Sequence, residues 1–353
     1  MCYIKNIGIV SLAFLVLVIL WELIGPIIRP LPLQLDESLG WVLRSNYTNI
    51  TTQRDLAGNT YQVQFSTNED SLRTFGNAEK AKLRILVLGD SFTGAPYAGN
   101  KEMWFSEMVK KIEILKNLPT ESIYLMAAGA GGYGTLQERI LLERIIKKAK
   151  PDMVILQFCE NDYINSHLEW ESTQIYRSQI YRRPYLNLDR KISYNNDLIA
   201  PIWRNPYLGD SRIFAILDGL ITNLQFLYYD KNYGPQIETI KLNYWQKESL
   251  LITQINLSDM KNLVKNKPFF ITNANNFLND DMNHKWVQLG QVAGMIPLIN
   301  PGRIISQDKR HAELFNEDSG HWSAKGNQLY GDAVAAELLQ SPVFNQLLIE
   351  SGL

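Results

Sequence analysis

Cysteine is scarce in this sequence: Cys2 and Cys159 are the only two in 353 residues. A disulfide framework and a thiolate zinc site are therefore excluded. Cys159 lies in an apolar run and reads as a buried, inert thiol. Histidine is almost as sparse, with His167, His284, His311 and His321. No two of them have metal-ligand spacing, so neither a metal nor any other cofactor is expected. Charge of one sign is lacking too. The net charge is -1, which gives no case for nucleic acid as a partner. There are no internal repeats and no low-complexity tracts.

What is present is bulk apolar material, 46% of the chain, enough for one large core or two modest ones. One long hydrophobic run occurs. Ile7 to Trp21 is apolar apart from Ser11, and after Glu22 the chain stays uncharged to Ile28. Taken together, residues 7–28 meet the length of about 20 that a membrane helix needs. A secretory signal would end in small residues at a cleavage site. Trp21-Glu22-Leu23-Ile24-Gly25-Pro26 offers none, so residues 1–30 read as an uncleaved membrane anchor, with the body outside the cytoplasm. Pro30-Leu31-Pro32 then breaks the helix. Residues 31–80 form a small β-rich lead-in, where Tyr61-Gln62-Val63-Gln64-Phe65 alternates cleanly. Asn77 to Lys82 is a polar hinge.

From Leu83 the pattern becomes strand, helix, strand, helix. Ile85–Leu88, Ser122–Ala127, Met153–Phe158, Phe269–Thr272 and Met295–Ile299 read as strands, with helices over Trp104–Leu115, Leu136–Ile146 and Ala324–Gln340. This spacing predicts an α/β domain over 81–345, a doubly wound parallel sheet with right-handed crossovers. Residues 163–242 show no clean period and are rich in Tyr, Asn, Arg and Trp. They form a large insertion after the third strand, with helix of its own over Ile213–Leu227, and overhang the C-terminal rim of the sheet.

Three strand ends converge on that rim, where open α/β sheets bind ligands. The first runs into Gly89-Asp90-Ser91, the second into Gly129-Ala130-Gly131-Gly132-Tyr133-Gly134-Thr135, the third into Cys159-Glu160-Asn161-Asp162. Ser91 is either a helix N-cap or a nucleophile. A serine nucleophile needs a base, and the tetrahedral oxyanion needs fixed donors. A glycine-rich loop supplies unobstructed backbone N–H groups, and a buried Asn amide supplies another. His321, in Asp318-Ser319-Gly320-His321, suits the base: Asp318 can curl its carboxylate onto Nδ1 and leave Nε2 facing outward. Asp318 and Ser323 could instead simply cap the last helix. His167, His284 and His311 lie in polar, loop-like surroundings and read as surface residues. Gly129, Gly131 and Gly134 also match a dinucleotide fingerprint, but it falls in the second β–α unit and lacks the acidic residue about 20 positions on.

These four blocks together resemble the SGNH/GDSL hydrolase family, over roughly residues 83–340. The resemblance implies a flavodoxin-like sheet of strand order 2-1-3-4-5. It implies Ser91 as nucleophile and His321 as base, oriented by Asp318. The oxyanion hole it implies comprises the Ser91 and Gly132 N–H groups and the Asn161 side-chain amide. Asp90 would be structural at its turn. Two departures stand out: Ala127 replaces an Asn often found in relatives, and Cys159-Glu160 replaces a Gly-x pair. The expected activity is that of a serine esterase or acylhydrolase. The aromatic insertion suggests an acylated carbohydrate, such as an O-acetylated surface polysaccharide, as substrate. An O-acyltransferase with the same triad, and a non-catalytic polysaccharide-binding or assembly protein that keeps the fold, are the alternatives.

Overall fold

The structure is a computed structural model. It describes the chain apart from residues 1, 29–30, 95, 174–176, 197–199, 206–210, 215, 218–219, 221–238, 275–279 and 318–319; side chains at 2–9, 26–28, 177–178, 239–241 and 280–284 are likewise outside the description. The helix expected over 213–227 falls mostly outside the described residues.

The chain begins with helix α1 (Cys2–Ile28). Its side chains are described from Val10 to Gly25, a stretch shorter than the roughly 20 residues that a bilayer requires. Among the described residues no helix is long and apolar enough to cross a membrane. The membrane-spanning segment expected over 7–28 is thus not found among them, although the segment is helical.

Two hairpins follow. Strand β1 (Leu33–Asp36) pairs with β2 (Gly40–Leu43), and β3 (Thr48–Arg54) with β4 (Thr60–Ser66). Strand β5 (Arg73–Phe75) then joins the edge of the main sheet, antiparallel to β7 (Ile123–Gly129). The main sheet has six strands. Parallel β6 (Leu83–Gly89), β7, β8 (Met153–Phe158), β11 (Phe269–Asn273) and β12 (Ile296–Leu298) lie in the spatial order β12-β11-β8-β6-β7, with β5 beyond β7. Counted along the chain, the parallel strands therefore run 2-1-3-4-5. The short pair β9 (Pro184–Leu186) and β10 (Ile192–Tyr194) lies in the insertion and forms its own hairpin.

The apolar runs of these strands are explained by burial on both faces. Leu86, Leu88, Val154 and Leu156 point into one core, against Leu142 and Ile145 of the helix Thr135–Ala149 and Leu257 and Met260 of the helix Thr239–Val264. Ile85, Val87, Met153 and Ile155 point into the other, against Phe105, Met108 and Val109 of Trp104–Leu115 and Val334 and Leu338 of Ala324–Gln340. Period-2 alternation on a sheet covered twice leaves no polar position to mark a face.

Candidate active site

Strand β6 ends at Gly89, paired with Gly129 of β7 on one side and Gln157 of β8 on the other. The backbones close in tightly here. A Cβ on Gly129 would lie 2.1 Å from the Gly89 carbonyl, and one on Gly94 would lie 2.2 Å from the Gly129 carbonyl. Only glycine allows this approach. It seats the single-turn helix Ser91–Gly94 against the end of β7. Asp90, which is buried, closes the turn: its Oδ1 accepts from Phe92 N–H at 3.0 Å. Thr93 Oγ1 donates to Gln157 Oε1 at 2.7 Å and ties the helix to β8.

His321 reaches the serine from the other end of the chain. Its Nε2 lies 2.7 Å from Ser91 Oγ. The imidazole packs against two rings, Tyr97 stacked at 4.4 Å and Phe92 tilted at 4.8 Å. Asp318, the expected orienting carboxylate, lies outside the described residues. The loop that carries His321 is closed by an antiparallel bridge between Phe315 and Trp322. The β3–β4 hairpin holds it from outside. Leu56 N–H donates to Phe315 O at 3.0 Å, Asp55 bridges Asn316, and Tyr61 OH donates to Asn316 Oδ1. Asn316 N–H in turn donates to His321 O at 2.8 Å. Ser323 caps the last helix through its Oγ, which accepts from Gly326 N–H at 3.2 Å.

The second strand end brings the glycine loop past Ser91: a Cβ added to Gly131 would be 3.9 Å from Ser91 Cβ. Gly132 adopts φ +75, a left-handed conformation that favours glycine, and Gln179 occupies the space where its Cβ would be. The third strand end carries Asn161, whose Nδ2 donates to Tyr133 O at 3.2 Å. Ser91, His321, Gly132 and Asn161 thus belong to loops on a single rim.

Beneath the rim lie three buried carboxyl groups. Burial pushes Asp90 up to about 6, against its hydrogen bond from Phe92 N–H. Burial also raises Glu138 and Asp162 well above the ordinary carboxylate range, with the neighbouring negative charges adding to the effect. Asp162 Oδ2 accepts from Cys159 N–H at 2.7 Å. Cys159 is buried as expected, and its thiol is raised by the same desolvation.

One expectation is corrected. His167 is not a surface residue but is buried. Its Nδ1 caps the helix Leu168–Ser172 by accepting from Trp170 N–H at 3.3 Å, and its Nε2 lies 3.4 Å from Glu248 Oε2. Its neighbours in sequence are polar, but the helix Thr239–Val264 covers it, which local composition could not show. His311 is exposed, and the side chain of His284 lies outside the described residues. Several site contacts carried no sequence signal: Phe92 and Tyr97 on the imidazole, and Trp41, Asn165 and Arg183 on the glycine loop. Phe92 and Asn165 lie in or beside the blocks, but their partners are remote, and Tyr97, Trp41 and Arg183 come from other segments that share no spacing with the blocks.

No family model matches this sequence and no curated protein matches it. Among solved structures, the chain is similar to the lipase/acylhydrolase from Enterococcus faecalis, at 13% identity and a TM-score of 0.39, over 72% of this chain and 95% of that one. It is similar to the psychrotrophic esterase EstA from Pseudoalteromonas sp., at 13% identity and 0.40, over 73% and 97%. The acetyl xylan esterase AlAXEase matches at 13% identity and 0.38, over 72% and 98%. Likenesses of this size decide nothing about chemistry, which rests on the residues of this chain.

Proposed function

We propose that this protein is a serine esterase or acylhydrolase of the SGNH/GDSL type. The observation that carries the reading is the 2.7 Å contact between Ser91 Oγ and His321 Nε2 at the C-terminal end of a central parallel strand. A helix cap has no use for an imidazole at that distance; a nucleophile does.

In the proposed mechanism His321 takes the Ser91 proton as Oγ attacks an ester carbonyl. His321 then delivers that proton to the departing alkoxide, leaving an acyl-enzyme. Water, activated in turn by His321, attacks the acyl-enzyme; the acid leaves and Ser91 regains its proton. Asp318 orients the imidazole in this scheme. The Ser91 N–H, the Gly132 N–H and the Asn161 amide stabilise the tetrahedral oxyanion. The position of the Gly131–Gly132 loop beside Ser91 supports that assignment. The preferred substrate class is an O-acylated carbohydrate, because the aromatic insertion rises from the same rim. A carbohydrate hydroxyl in place of water would make the same site a transferase.

Attachment to a membrane through residues 7–28 is part of the proposal. From Val10 to Leu23 helix α1 leaves large apolar side chains exposed all round, among them Leu12, Phe14, Leu17 and Leu23, and a helix with no polar face suits lipid.

The test is hydrolysis of short-chain nitrophenyl esters and acetylated oligosaccharides by the full chain. Ser91→Ala and His321→Ala should each lower kcat on the order of 10^4–10^6-fold, and Asn161→Ala roughly 10^2–10^3-fold. Equal rates for wild type and Ser91→Ala would end the hydrolase reading.

A further inference from the structure

The peptide group between Gly131 and Gly132 is held from outside the catalytic loops. Its carbonyl, Gly131 O, accepts a hydrogen bond from the Trp41 indole Nε1–H at 3.0 Å. Trp41 stands on strand β2 of the lead-in and is buried. Tyr133, two residues on from Gly131, returns the contact: its OH donates to Trp41 O at 2.5 Å, and its ring meets the indole at 5.9 Å.

In a trans peptide the C=O and N–H of one unit point in opposite directions. A donor fixed on Gly131 O therefore fixes the direction of Gly132 N–H, aiming it away from Trp41. The same hydrogen bond polarises the amide and strengthens its N–H as a donor. The next peptide is fixed as well. Gly132 O accepts from Arg183 Nη2 at 2.5 Å and from Asn165 Nδ2 at 3.0 Å. Arg183 is wholly buried, lies 5.1 Å over the Trp41 ring, and is anchored by Glu171 Oε2 at 2.8 Å from its Nε.

We infer that Trp41 is a positioning residue for the oxyanion site, acting through the Gly131 carbonyl on the Gly132 N–H, with Arg183 of the insertion clamping the following carbonyl. The inference rests on the reading of Gly132 N–H as an oxyanion donor. It gives the lead-in and the insertion a shared role, since each closes one carbonyl of Gly131-Gly132, a pair with no side chains to hold itself. Trp41 touches no reacting atom in this arrangement. It serves transition-state stabilisation alone, so its loss should appear in kcat and leave KM unchanged.

The variant that isolates the effect is Trp41→Phe in the full chain, which removes the N–H and keeps an aromatic ring against Arg183. With nitrophenyl acetate, kcat should fall about tenfold while KM stays within about twofold. The inhibition constant of an alkylboronic acid should rise by the same factor, because its tetrahedral serine adduct places an oxygen in the oxyanion site. The inhibition constant of a simple alcohol product and the pH–rate profile should not move. Exchange of the indole for benzothiophene, which replaces N–H by sulfur in nearly the same shape, gives the second measurement if the Phe variant unfolds. Wild-type kcat in these variants, beside an inactive Ser91→Ala, overturns the role of Trp41 and leaves the esterase reading standing. A loss of kcat accompanied by weaker alcohol binding or a displaced pH profile also overturns it, because a general distortion would produce that pattern. A Ser91→Ala enzyme as active as wild type overturns the esterase reading itself.

Discussion

Ser91 follows the turn of a glycine that cannot be anything else, since a Cβ on Gly89 would meet Thr93 Oγ1 at 2.6 Å. A serine held this way could have ended as a cap; in the proposed mechanism the imidazole 2.7 Å away is its proton acceptor instead. The carboxyls below it have a different consequence. Glu138 has both side-chain oxygens buried with no hydrogen-bond partner among the described residues. A carboxyl so placed holds its proton more tightly folded than unfolded. Its contribution therefore favours folding below the unfolded value and is lost as pH rises. For Asp90 that loss runs from 3.8 through about 6, and for Glu138 and Asp162 it continues higher. Glu138→Gln cannot ionise, so it should narrow the difference in Tm between about pH 5 and about pH 8. An unchanged difference in thermal melts would show that Glu138 does not contribute. The same residues show what could be read from the sequence. Ser91, Asn161 and His321 stand in blocks whose chemistry is local and visible. Phe92, Tyr97 and Trp41 matter through contacts that join distant segments, and no spacing announces those.

Among the elements, the β3–β4 hairpin has the clearest effect beyond its own stability. It pairs with the loop that carries His321 through Asn316, which also donates from Nδ2 to Trp322 O at 3.2 Å. Removing that amide takes one of two donors from Trp322 O, which keeps Asn327 Nδ2 at 3.2 Å, and removes the Asn316 acceptor of Tyr61 OH, so the loop beside His321 loses two of its ties. Asn316→Ala should cost roughly 1–3 kcal/mol of stability and lower kcat, with Ser91 and His321 both intact. Denaturant unfolding and ester turnover on the same sample check it; a variant with normal kcat would detach the hairpin from catalysis. The strands of the main sheet were legible because buried parallel strands are continuous apolar runs. Met153–Phe158 and the helices Trp104–Leu115 and Ala324–Gln340 have the bounds expected from pattern alone. Strand β5 was not legible. Three residues, Arg73-Thr74-Phe75, carry no period, and they become a strand because β7 offers a free edge. Its buried Arg73 is satisfied by Ala98 O at 2.7 Å and Asn100 Oδ1 at 3.0 Å, partners supplied only by the fold.

At the scale of the molecule, the proposed membrane attachment makes its own demand. Charge in a lipid-buried helix is expensive, about 2.5–3.5 kcal/mol per residue at mid-bilayer on insertion scales. Val16→Arg with Leu17→Arg should therefore move the full chain from the vesicle fraction to the aqueous fraction in flotation, with hydrolysis of a soluble nitrophenyl ester unaffected. Retention in the vesicle fraction would remove residues 7–28 as the anchor. The sequence by itself determined the five parallel sheet strands, three of the helices that cover them and the blocks holding Ser91, Asn161 and His321. These follow from periodicity and from residue chemistry over short spans, which need no partner to be recognised. Only the tertiary structure decided that His321 meets Ser91 across 230 positions, that His167 is buried, and that β2 and the insertion grip the glycine loop. Those are contacts between remote segments. Their free energy comes from burial and from hydrogen bonds whose two halves lie far apart in the chain, so neither half carries the signal alone.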